Sequence, residues 1–148
     1  MADPHHFEFD LDLGIQQQVV EHLERSPILP LAEGVGPRRS GIYALYYRGD
    51  LVYVGKASAL GVKGNPTLRS RLGVHRRKIE GRQNITLSDM QCRFLTFSSE
   101  WWVWAGELSL IEHYDPTWNG SGFGSNVPGR GRQGTERVSR WNEQFPPK

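Results

Sequence analysis

The 148-residue chain is 37% hydrophobic and 23% charged, the balance of one folded domain rather than of a disordered or membrane-spanning segment. Its lone cysteine, Cys92, excludes an internal disulfide framework and a Cys-rich zinc site, and no stretch approaches the ~18 consecutive apolar residues of a membrane helix, so a cytoplasmic protein with no membrane partner is expected. The net charge of +2 divides unevenly: residues 1–33 hold seven acids and one base, a sum of −6, which leaves +8 on residues 34–148 beside all the tryptophans and tyrosines, a body suited to a polyanionic partner such as nucleic acid.

Residues 12–25 open on Asp12 and place Ile15, Val19 and Leu23 four apart, which predicts a first helix with an apolar stripe. Pro27, Pro30 and Pro37 with Gly34 and Gly36 then predict a linker over Ser26–Arg39, so residues 1–39 read as an acidic arm whose stripe is free to contact a second copy. Apolar and aromatic residues from Gly41 to Tyr47, the turn Arg48-Gly49-Asp50 and the β-branched run Leu51–Val54 predict a β-hairpin. Ala57–Asn65 reads as a loop, and Pro66 suits the first turn of a second helix reaching about Glu80, with Leu68, Leu72 and Ile79 toward the core. A strand is expected over Gln91–Phe97 and a third helix over Trp101–Tyr114, ended by Pro116. Six glycines between Gly120 and Gly134, with Arg130 and Arg132 among them, predict a basic loop until Trp141. The chain thus divides into an arm at 1–39, a core at 40–119 and a glycine-rich basic segment at 120–148 expected to meet a nucleic-acid partner.

Arg71, His75, Lys78 and Arg82 recur at four, three and four residues, one stripe of the second helix. Such a stripe is either a solvated face or a place where an external phosphate relieves the repulsion that Glu80 alone offsets. Glu107 sits among Ala105, Gly106, Leu108 and Leu110, where an isolated carboxylate is costly unless it meets a metal or pairs with a cation such as Arg71. Its hard oxygens favour Mg²⁺ or Mn²⁺ over zinc, while Glu112 and Asp115 fall at the polar end of the same helix. The tyrosines of the hairpin, Tyr43, Tyr46, Tyr47 and Tyr53, read by themselves as a packed aromatic sheet face, and His5, His6, His22 and His113 have no metal-binding spacing.

Gly41-Ile42-Tyr43, then Tyr53-Val54-Gly55 ten residues after Tyr43, then Arg71, His75, Glu107 and Asn119 in that order resemble the GIY-YIG nuclease superfamily. Lys56 directly after the second triplet, His75 four after Arg71 and the segment Asn119–Arg132 resemble its restriction-endonuclease branch, most of all enzymes that cut the palindrome CCGCGG. The resemblance implies an α/β (α+β) domain: a small three-stranded antiparallel sheet flanked by helices, with the active site on one sheet face. It implies that Glu107 holds one divalent cation, Mg²⁺ with Mn²⁺ able to substitute, and that Tyr43 takes the proton of the attacking water as a partly ionised phenol. Lys56 and the metal would lower the pKa of that phenol. Arg71 would neutralise charge on the phosphoryl oxygens, Tyr53 and His75 would position phosphate and water, and Asn119 would bind a phosphate oxygen or orient a neighbour. Water would attack in line, leaving a 5′-phosphate and a 3′-hydroxyl on double-stranded DNA cut by a homodimer at a palindromic site.

Val54 stands where the family usually has isoleucine, a small apolar change, and the turn Arg48–Asp50 and the loop Ala57–Pro66 are short for a restriction enzyme. Base reading then falls to that loop, the arm and the tail, where Arg130 and Arg132 reach guanine edges or clamp phosphates, and Lys78 and Arg82 extend the DNA surface. The alternatives are a nicking nuclease of repair, homing or mobile elements, and a catalytically silent DNA-binding module.

Overall fold

The computed structural model describes residues 3–7, 10, 12–58, 64–124 and 140–148. At its centre is an antiparallel sheet of β1 (Leu29–Pro30), β2 (Gly41–Tyr47), β3 (Asp50–Ala57) and β4 (Met90–Thr96), in the spatial order β1-β4-β2-β3. Four strands replace the expected three because two residues of the proline-broken linker pair with β4, Leu29 opposite Cys92 and Pro30 opposite Gln91. Pro30 is tolerated there because an edge strand has one side that needs no ladder donor.

The hairpin forms as predicted. Arg48 and Gly49 both have positive φ, 49° and 88°, the two-residue geometry whose twist matches the strands it joins. Arg48 accepts this unusual backbone while its Nε meets Asp89 Oδ1 at 3.2 Å and its amide donates to the Asp89 carbonyl at 2.8 Å. A register shift between Leu45 and Tyr46 places Leu45 opposite Tyr53 and Tyr46 opposite Leu51, so Val52 is the extra residue of a bulge.

Among the described residues four α-helices surround the sheet: α1 (Gln17–Arg25), α2 (Leu68–Glu80), α3 (Glu100–Tyr114) and α4 (Arg140–Gln144). A π-helical turn at Asp12–Gln16 precedes α1; the side chain of Asp12, expected as a cap, lies outside what is described. Helix α2 starts after Pro66 rather than on it. Thr67 caps it, its hydroxyl accepting from the Ser70 amide while Ser70 Oγ accepts from the Thr67 amide, a reciprocal pair stronger as a start signal than proline.

Alternation along β2 splits the core in two. Tyr43 and Leu45 pack toward α2 with Leu68, Leu72 and Ile79, and the chain's end, Trp118, Phe123, Trp141 and Phe145, closes this layer. Ile42, Ala44 and Tyr46 face the other way, against Val103, Leu110 and Ile111 of α3 and Val19, Val20 and Leu23 of α1. The stripe of α1, expected to lie free for a second copy, is therefore spent inside the fold, and Leu23 is fully buried. Among the described residues no helix is long and apolar enough to cross a membrane.

Candidate active site

Tyr43 lies in the middle of β2, directly across from Gly55 of β3. That pairing explains the glycine of the second triplet. A Cβ on Gly55 would stand 2.4 Å from the Tyr43 hydroxyl and 3.0 Å from the Tyr53 ring, so only glycine leaves room for the phenol to cross the strand. Gly41 is required for a different reason, since a Cβ there would lie 2.1 Å from the Leu95 carbonyl oxygen.

The Tyr43 hydroxyl is 2.6 Å from His75 Nε2, a buried hydrogen bond between β2 and the middle of α2. Tyr53 packs against both rings, and the His75 ring stacks on Phe123 with centroids 4.8 Å apart. Burial, the Tyr53 hydroxyl and the Glu107 carboxylate hold the Tyr43 pKa well above that of an ordinary phenol, although Arg71 pulls it down. Desolvation outweighs the pull of Arg71, so the fold by itself favours the neutral phenol at Tyr43. Burial, then the charges of Arg71 and Lys78, push His75 down to about 3, which makes it a neutral imidazole. Among the described residues its Nδ1 has no hydrogen-bond partner.

The second half of the site comes from the opposite face. Lys56 follows Gly55, so strand alternation turns it toward α3, where its Nζ meets Glu107 Oε1 at 3.0 Å. Glu107 can approach the sheet because its neighbour Gly106 packs on Ile42, where a Cβ would lie 2.6 Å from the Ile42 Cδ1. Burial raises the pKa of the Glu107 carboxyl, and Lys56 and Arg71 oppose that rise. The intramolecular partner of Glu107 is accordingly Lys56 and not Arg71, whose Nε instead reaches the Lys56 carbonyl at 3.5 Å. The groups expected on one sheet face therefore come from both faces and meet at edge strand β3, with Arg71 between them. Beside them opens a cleft of about 420 Å³ lined by Lys56, Ser58, Asn65, Pro66, Arg71 and Trp104.

Asn119 makes two bonds to one residue of that edge strand. Its Oδ1 accepts from the Val54 amide at 3.0 Å and its Nδ2 donates to the Val54 carbonyl at 2.9 Å, so the side chain replaces a missing neighbouring strand. Both polar atoms of the Asn119 side chain are thus engaged with Val54. The cationic stripe of α2 also divides. Arg71 is exposed, but Lys78 donates to the carbonyls of Phe123 and Gly122 and lies over the Phe123 and Trp141 rings. Burial, with Arg82 beside it, lowers the Lys78 pKa. Arg82 donates to the Phe145 carbonyl at 3.3 Å and covers the Trp141 ring. The like charges of the stripe are thus relieved by carbonyls and rings of the chain's own end, while Glu80 pairs with Arg76 at 2.7 Å. Arg130 and Arg132 lie outside the described residues. Sequence reasoning missed Trp104, Phe123 and Gly124, the last needed because a Cβ would stand 2.4 Å from the Tyr53 hydroxyl. Only Trp104 carried a local signal, its spacing of three from Glu107 on one helix.

A divalent cation fits this donor set in one way. Among the described residues no three His, Cys, Asp or Glu side chains cluster to hold a metal, and the carboxylate present beside Lys56 is that of Glu107. A carboxylate has about four lone-pair positions and Lys56 occupies one, and Mg²⁺ is commonly held by one or two carboxylates with waters and substrate phosphate completing the shell.

Residues 51–148, from the second residue of β3 onward, match the family model described as the Eco29kI GIY-YIG domain. No curated protein matches significantly. Among solved structures the chain is similar to the GIY-YIG N-terminal endonuclease domain of UvrC from Thermotoga maritima bound to its catalytic magnesium. The identity is 17%, covering 70% of this chain and 97% of that one, with a TM-score of 0.42. A point mutant of that domain, bound to its catalytic divalent cation, is 16% identical over 74% and 98%, with a TM-score of 0.43.

Proposed function

The chain belongs to the Eco29kI GIY-YIG family and is a GIY-YIG nuclease, and from that premise we propose that it is a divalent-metal-dependent, site-specific DNA endonuclease of the type II restriction kind. The observation that carries the chemistry is the convergence at β3 of a phenol bonded to a neutral imidazole, a buried carboxylate and two cations, beside an open cleft. In this reading Glu107 holds Mg²⁺ or Mn²⁺, which supplies a Lewis acid for the scissile phosphate. Arg71 and Lys56, both on the cleft, bind the phosphoryl oxygens and neutralise the charge that grows on them.

Tyr43 is the general base by way of its bond to His75. As the phenol oxygen takes a proton from water, its own proton passes to His75 Nε2, so no free phenolate has to exist in a desolvated site. His75 is poor at holding a proton partly because Arg71 and Lys78 repel it, and a bound phosphodiester offsets those two charges. Tyr53 fixes both rings, and Asn119 keeps the strand that carries them in place. Hydrolysis in line then leaves a 5′-phosphate and a 3′-hydroxyl. Cutting both strands of a palindrome, CCGCGG by resemblance, requires one such site per strand and hence two copies of the chain; the Val19 and Leu23 stripe of α1, packed inside the fold, is not the surface on which they meet.

Plasmid DNA incubated with the purified protein and Mg²⁺, with EDTA, and with Glu107→Ala tests this reading, the ends being sequenced. Discrete fragments with Mg²⁺ only, lost in Glu107→Ala while DNA binding persists, are expected. Random nicking would favour a repair or mobile-element nuclease, and salt-sensitive binding without any cutting a silent binding module.

A further inference from the structure

Lys56 is held on two sides. Its Nζ is 3.0 Å from Glu107 Oε1 and 4.1 Å from the centroid of the Trp104 ring. The indole is itself latched, its Nε1 donating to Ser58 Oγ at 3.3 Å, and Ser58 Oγ also meets Glu100 Oε2 at 3.4 Å. Trp104 and Glu107 stand three residues apart on α3, so a single helix presents the carboxylate and the π-face that together clamp one ammonium. Trp104 is nonetheless 46% exposed, and its neighbours Trp101 and Trp102 are 76% and 51% exposed. Packing does not account for its position.

A lysine beside a cleft has four rotatable bonds and three donors, and a carboxylate at one point leaves most of that freedom in place. When a polyanionic substrate enters, its phosphates also attract the ammonium outward, away from Glu107. An aromatic face closes one side of the ammonium without competing for the phosphate, since attraction to the ring quadrupole leaves its N–H donors available. We propose that Trp104 is a positioning residue that fixes Lys56 against Glu107 in the active site, acting through Lys56 and not by touching DNA. The catalytic part of this inference rests on the nuclease reading above; the clamp itself does not.

The test has two readouts. Reductive methylation with ¹³C-formaldehyde labels the lysines, and NMR of the folded protein should show the Lys56 methyl resonance shifted upfield by the Trp104 ring current, told apart from that of Lys78, which lies over Phe123 and Trp141, by its disappearance in Lys56→Arg. That shift should vanish in Trp104→Leu and survive in Trp104→Phe. In cleavage kinetics Trp104→Leu should lower kcat about tenfold, the worth of one cation–π contact, with KM for DNA unchanged and Trp104→Phe restoring most of the rate. In a Lys56→Met background Trp104→Leu should then add no further loss. An unshifted Lys56 methyl in the wild-type protein overturns the clamp. So does a Trp104→Leu defect confined to KM, which would mean contact with DNA, or a full additional loss in the Lys56→Met background. Absence of cutting by the wild-type protein would defeat the nuclease reading alone, because the methyl shift still reports whether the clamp exists.

Discussion

At the scale of single residues the site is governed by desolvation. Tyr43 and His75 are both nearly excluded from water, and each is held in its neutral form: the phenol well above its usual pKa, the imidazole down to about 3. The consequence for stability has a definite sign. Below pH 6.5 the unfolded chain protonates its histidine while the folded chain refuses the proton, so the stability due to neutral His75 is complete above pH 6.5 and is lost as the pH falls toward 3. Between pH 7 and pH 5 the loss should be about 2 kcal/mol. Denaturant unfolding of the wild-type protein and of His75→Gln at the two pH values measures it, since the variant keeps a partner for the Tyr43 hydroxyl but removes the titration. Equal losses in both proteins would show that His75 is not held neutral by the fold.

The element that matters most is β3, because it is both an edge of the sheet and the strand around which the site is assembled. An edge strand has one unpaired row of amides and carbonyls, and Asn119 satisfies two of those groups at Val54, one residue before Gly55. Asn119→Ala should therefore cost about 1–3 kcal/mol of stability by leaving those half-buried groups unpaired. Cleavage should fall with it, because Tyr53 and Lys56 ride on the loosened strand. Hydrogen exchange distinguishes this from a phosphate-binding role: the Val54 amide should exchange much faster in Asn119→Ala without DNA present. Unchanged protection there, with weakened DNA binding, would return the side chain to the phosphate. Helices α2 and α3 were legible from their periodicity, and Leu68, Leu72 and Ile79 are fully buried as their spacing predicts. The start of α2 was less so, since the Thr67–Ser70 pair lacks the Glu or Gln that usually marks such a cap.

For the molecule as a whole, the two ends of the chain complete the two core layers. The N-terminal helix covers α3 with Val19, Val20 and Leu23, and the C-terminal residues Trp141 and Phe145 close the layer that holds Tyr43 and His75. A chain lacking residues 1–25 should lose these contacts, and burial of one leucine alone is worth about 2–5 kcal/mol. Thermal unfolding should show the truncated chain melting far below the full chain, or only as an aggregate. A truncated chain of unchanged melting temperature that no longer self-associates would restore α1 as the contact between copies.

The hairpin, the two long helices, the uneven charge and the order of Tyr43, Tyr53, Lys56, Arg71, His75 and Glu107 were determined by the sequence, because turn chemistry and the periods of strand and helix are relations among residues a few positions apart. Tertiary structure alone decided that Glu107 pairs with Lys56, 51 residues away, and that Asn119 braces Val54, 65 residues away. It alone decided that the linker contributes a fourth strand, that the stripe of α1 is covered and that Lys78 and Arg82 turn toward the chain's own end. Each of these depends on which surfaces the folded layers bring together, and a pattern of local spacing carries no record of that distance. Burial of Tyr43 and His75 belongs to the same class: their charge state is set by the exclusion of water, which only the closed core provides.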